Sequence, residues 1–178
     1  MLVRRLIARR GDYESLRSRF EEVGTDASGW ETYYRDPETG EKWCDAFLLW
    51  DYPCLVRLPL PSSDELISIA LGTTFTDEAV AAAVMLAKES EAAEEIMHRL
   101  EEKSQEADLR NWERIGLIIE WASLESRMNR RETRGKNYAE VKADHEHFLR
   151  IADRAHRLKA KAEQMTGHKF EKNYEVFV

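Results

Sequence analysis

His145, Glu146 and His147 are the first residues to weigh, because imidazole and carboxylate groups bind zinc and move protons. A zinc-binding helix places its two His at i and i+4, on one face, with Glu as the base. Here the two imidazoles lie two residues apart, about 200° around a helix, and point away from each other. Glu140, Asp144 and His147 can share one face, a grouping that reads as solvated helix surface. His145 falls on an apolar stripe and is expected as a partly buried, hydrogen-bonded imidazole. Cys44 has no His close in sequence and no helix start to lower its pKa, so it is not read as a nucleophile. Cys44 and Cys54 are expected to be reduced and half-buried. The chain has no phosphate-cradling glycine loop, no dinucleotide fingerprint and no Cys-x-x-Cys pair. The expectation is a protein that is not an enzyme, with no catalytic residue, metal or cofactor.

Charge points instead toward binding. Of 178 residues 34% are charged, and the net charge is −7. Its distribution is uneven: residues 63–125 hold 15 acids and 5 bases, whereas residues 126–178 hold 8 acids and 13 bases. An acidic middle argues against direct nucleic-acid binding and suits a protein partner with a basic surface. Glu91, Glu94, Glu95, Glu101 and Glu102 are the candidate partner-binding residues of that segment. The basic run Arg127, Arg130, Arg131, Arg134 and Lys136 reads as dipole complement at a helix end. No window approaches the ~18 apolar residues of a membrane span. The start, MLVRRLIARRGDY, lacks the pattern of an export signal, so the expected compartment is the cytoplasm.

The elements that must carry these residues divide at about residue 61. Tyr13, Leu16, Phe20 and Val23 have helical spacing, with Gly24 as the stop. Leu2, Val3, Leu6 and Ile7 before them can form a strand or extend that helix. WETYYR and EKWCDAFLLW are aromatic strands joined by DPETG, where Pro37 presets the turn and Gly40 supplies positive φ. DYPCLVRLPLP adds a third, edge-like strand, since Pro53 and Pro59 cannot donate to a ladder. From Ser62 the period becomes helical, with Ser62 and Glu65 as a capping box and Gly72 as the stop. Further helical runs follow in TFTDEAVAAAVMLAKESE, capped by Thr74 or Thr76, in EAAEEIMHRLEEK, which can continue it, and in DLRNWERIGLIIEWASLESRMNRRE, with Asp108 as cap and Trp112, Ile115, Ile119, Ala122 and Met128 on one side. A last long helix buries Val141, Phe148, Ile151, Ala155, Leu158 and Ala162, and HKFEKNYEVFV can return as an edge strand. The fold class is α+β: residues 1–61 form a small helix and β-hairpin unit, and residues 62–178 a helical unit of four or five helices.

The hairpin stretch SGWETYYRDPETGEKW resembles the signature of a family of bacterial immunity proteins, which protect a cell from its own polymorphic or contact-delivered toxin. Members carry a run close to Ser-Gly-Trp-Glu-x-Leu-Tyr-Arg-Asp-Pro-x-Asp-Gly-x-x-Trp, and Ser28, Gly29, Trp30, Glu31, Tyr34, Arg35, Asp36, Pro37, Gly40 and Trp43 fall in register. The likeness covers roughly the first third of the chain and departs after Trp43, where only a displaced Tyr52-Pro53 remains of the family's continuation. The resemblance implies an antitoxin that works by covering a toxin, sterically and electrostatically, with no reaction of its own. Trp30, Tyr34 and Trp43 are then expected as cross-strand partners, with Arg35, Asp36, Pro37 and Gly40 organising the turn. Tyr33, Glu38 and Lys42 remain free to meet the partner. The alternative is a helical adaptor or regulatory protein, as a homodimer using the last two helices as a hairpin.

Overall fold

The computed structural model describes residues 4–49, 52–89 and 91–178. The described residues form β1 (Leu6–Ile7), α1 (Arg10–Arg17), β2 (Glu21–Thr25), β3 (Thr32–Arg35), β4 (Lys42–Leu49), β5 (Tyr52–Arg57), α2 (Ser63–Gly72), α3 (Thr76–Ala87), α4 (Ala92–Gln105), α5 (Leu109–Trp121), α6 (Tyr138–Thr166) and a 3-10 turn, Tyr174–Phe177. The fold is α+β, with a five-stranded antiparallel sheet in the order β1-β5-β4-β3-β2 and the longer helices in the C-terminal half.

The chain folds as two compact units, Met1–Val84 with Asn173–Val178, and Met85–Lys172. The division falls inside α3, well beyond residue 61, so α2 and most of α3 belong with the sheet. A local reason is visible in the first turn of α3. The Asp77 carboxylate accepts hydrogen bonds from the Ala8 and Arg9 amides and pairs with Arg4, and Glu78 accepts from the Arg5 and Leu6 amides. These two buried acids thereby satisfy backbone donors of Leu6 in β1 and of the residues flanking the strand.

In the first unit α1 lies on one sheet face, where Ile7, Tyr13, Phe20, Tyr34, Trp43 and Leu55 pack together with Leu16. Helical spacing correctly identifies Tyr13, Leu16 and Phe20 as core. The helix nevertheless stops at Arg17, and Val23 and Gly24 lie in β2, where the ladder slips at Val23. All five β2 residues are exposed, so the strand carries no apolar alternation and pairing with β3 alone defines it. β5 is not at the edge, because β1 pairs with it at Leu55 and Val56. β1 is only two residues long and stops short of Pro53, which is how a central strand tolerates that proline. Leu2 and Val3 lie outside the described residues, while Leu6 and Ile7 form the strand.

The capping box of Ser62 and Glu65 opens α2, Asp108 caps α5, and Asn137 with Glu140 caps α6. In the second unit α4, α5 and α6 pack on one another, with Ile96, Met97, Leu100, Ile115, Ile119, Phe148 and Ile151 buried. α5 ends at Trp121, so Met128 is exposed and off the helix. Gly116 allows Phe170 to approach closely: a Cβ there would lie 2.2 Å from its ring. The C-terminal segment forms the 3-10 turn, where an edge strand was expected, and Tyr174 and Phe177 pack on Tyr52 with ring centroids 5.5 and 4.9 Å away.

A candidate interaction surface on the aromatic hairpin

Residues 28–43 separate into a buried half and an exposed half. Tyr34 and Trp43 sit opposite each other on β3 and β4, 3% and 5% exposed, and Trp43 packs 5.7 Å from Phe20. Their scaffold role is as the sequence suggests. Asp36 accepts from the Glu38 amide at 2.9 Å and the Thr39 hydroxyl at 2.9 Å, and Gly40 takes φ +74° to close the turn. These bonds hold the Asp36 carboxyl below its ordinary pKa. Arg35 does not organise the turn; its guanidinium donates across the sheet to Glu21 at 2.6 Å. Tyr33 is half-buried and donates to Glu31 at 3.0 Å, whereas Glu38 and Lys42 are exposed.

Trp30 departs from the expectation most clearly. It lies in the loop between β2 and β3, 66% exposed, and meets Phe47 edge-on with centroids 6.4 Å apart. Phe47, on β4, is itself 46% exposed. The loop is held by Asp26, a residue that the sequence pattern does not single out. Its carboxylate accepts the Glu31 amide at 2.9 Å, the Ser28 amide at 3.0 Å and the Ser28 hydroxyl. The Ser28 hydroxyl bond leads these in drawing the Asp26 pKa down to about 2. Gly29 adopts φ +77°, and the Trp30 amide donates to the Ser28 hydroxyl. A local signal for this turn exists: an Asx residue two positions before Ser, followed by Gly, favours it.

Beneath α1 lies a buried polar group. Tyr13 donates to Asp45 at 2.6 Å, and Arg17 donates to the Tyr34 hydroxyl at 3.0 Å and stands 3.8 Å from Asp45. Burial raises the Asp45 carboxyl and Tyr13 hydroxyl above their usual pKa values. Asp45 is engaged through Oδ2 alone, its Oδ1 being buried without a hydrogen-bond partner, and the group ties helix to sheet.

The candidate acids of α4 find their partners inside the second unit. Glu91 pairs with Arg131 at 2.7 Å, Glu101 with Arg154 at 2.7 Å, and Glu94 with the same guanidinium. Glu95 pairs with Arg99 at 2.7 Å, and Glu102 lies 3.3 Å from His98. These acids are therefore interleaved with bases, Arg154 from α6, Arg131 from the segment before it and Arg99 from α4 itself, while their side chains stay partly exposed. That unit, residues 85–172, holds 18 acids and 18 bases. The first unit holds 16 acids and 9 bases, and so carries the whole net charge of −7. Part of that surplus is on the hairpin: residues 20–42 contain seven acids and two bases, with Glu21 paired to Arg35 and Glu41 to Arg57.

The groups considered for catalysis do not assemble. His145 is exposed, where partial burial was expected, and His147 packs edge-on against Phe148. Cys44 and Cys54 are both free and buried. Burial, with Glu31 nearby, pushes the Cys44 thiol up to about 11, far from a ready nucleophile. Among the described residues no three His, Cys, Asp or Glu side chains are grouped to hold a metal ion. No helix among them is long and apolar enough to cross a membrane. Compared with known proteins, the chain matches no family, no curated protein and no solved structure.

Proposed function

We propose that this chain is an immunity protein that binds a co-encoded bacterial toxin and neutralises it by steric and electrostatic blocking. The supporting observation is the segregation of charge: the helical unit is balanced, and the sheet unit carries seven surplus negative charges. A toxin that acts on nucleic acid needs a cationic groove, and an anionic protein surface competes for such a groove and speeds encounter with it. The reading draws its partner class from the signature in residues 28–43, with the acidic contact moved from α4 to the hairpin unit. The test is growth rescue. The C-terminal domain of a large secreted protein encoded beside this chain is expressed in a sensitive host, with and without the chain. Rescue by the intact chain, with a co-purifying complex, is the expected result. Continued toxicity with no complex overturns the reading.

A further inference from the structure

Exposed large apolar side chains are scattered over most of this molecule, but Trp30 and Phe47 touch each other and stand on a prepared support. Asp26 fixes the six-residue loop that presents Trp30 through bonds to Ser28 and Glu31, and the Asp26 amide donates to the Glu31 carbonyl at 2.9 Å. A large aromatic held in advance loses little freedom on binding, and such residues dominate the energetics of protein interfaces. Asp26 and Glu31 bracket Trp30 in sequence, and among the described residues no lysine or arginine pairs with either. The edge strand β2 is a poorer docking surface, since its slipped register and the charges of Glu21 and Glu22 blunt strand addition.

We infer that Trp30 and Phe47 are the apolar anchor by which this chain docks a basic protein, drawn in by the surplus negative charge of the sheet unit. The inference rests on the toxin-binding reading above and names its contact surface. The partner it fits presents a Lys or Arg side chain to the exposed indole face, which attracts a cation. The anchor governs how long the complex lasts, and the surplus charge governs how fast it forms.

The experiment immobilises the toxin domain encoded beside this chain and follows binding of the wild type, Trp30→Ala, Phe47→Ala and Glu31→Gln. Trp30→Ala is expected to raise the off-rate roughly ten-fold or more while leaving the on-rate nearly unchanged. Glu31→Gln slows association at low salt, and the difference closes as salt rises. Thermal melting of each variant checks the fold. Hydrogen exchange of the wild-type complex, which needs no variant, is expected to show new protection over residues 26–33. Wild-type binding with an unchanged Trp30→Ala off-rate and no protection there overturns the inference and leaves the broader reading standing. Failure of the wild type both to bind and to rescue growth overturns the two together.

Discussion

Single residues here divide into those that fix the hairpin and those it displays, and titration separates the two. Asp26 is held ionised by its loop, with the Ser28 hydroxyl foremost. A carboxylate with a depressed pKa contributes order that is present above its ordinary range and lost as pH falls through the folded value. The Ser28 and Glu31 amide resonances should therefore shift with a midpoint of about 2, the value for Asp26. A midpoint near an ordinary Asp would mean the loop is not held this way. Asp45 has the opposite sign, because burial raises its pKa. The folded protein then binds that proton more readily than the unfolded chain, so stability falls as pH rises through the titration. Tyr13→Phe removes the donor to this carboxylate and should destabilise by about 1–3 kcal/mol. Chemical denaturation should show a larger deficit at neutral than at acidic pH, because the lost donor matters most to the ionised carboxylate. An equal deficit at both would detach Tyr13 from Asp45.

Elements with a local chemical signature are legible in the amino-acid sequence. The Asp36–Gly40 turn, the capping box at Ser62 and the Asp108 cap each use side chains within a few residues of the backbone they satisfy. What escapes is non-local. β2 has no apolar face and exists because β3 pairs with it, and β5 is interior because a two-residue strand from the N-terminus reaches it. Trp30 escapes for a related reason: aromatic content does not reveal which ring turns inward, and the loop bonds of Asp26 decide it. Gly116 offers a test of element packing. Alanine normally favours a helix interior over glycine by about 1 kcal/mol, but here its Cβ would displace the Phe170 ring. Gly116→Ala should therefore destabilise by about 1–2 kcal/mol, and Gly116→Ala combined with Phe170→Ala should recover part of the helix gain. A plain stabilisation in the single variant would show that Phe170 yields freely.

At the scale of the whole molecule, counting charge by sequence segment misleads because folding brings opposite segments together. Residues 63–125 are strongly acidic and residues 126–178 basic, yet Arg131 and Arg154 answer Glu91, Glu94 and Glu101 across that divide. Glu94→Lys with Glu101→Lys should thus cost the helical unit about 1 kcal/mol, a modest figure for partly exposed pairs, while barely changing association with a basic partner. Glu22→Lys with Glu38→Lys should do the reverse, slowing association at low salt with little change in melting. Stopped-flow or surface-binding kinetics across a salt series, beside melting curves, distinguishes the two patterns. Equal slowing by both pairs would return the α4 acids to the contact.

The six residues Asn173–Val178 belong to the sheet unit, stacking Tyr174 and Phe177 on Tyr52, although the entire helical unit intervenes in the chain. On the ribosome the aromatic cluster around Tyr52 must therefore wait, its last partners still unmade while three helices are synthesised and fold. A nascent chain halted before Asn173 would carry an unfinished first unit, open to proteases and chaperones at Tyr52, and completion of that unit would report that synthesis has passed this point.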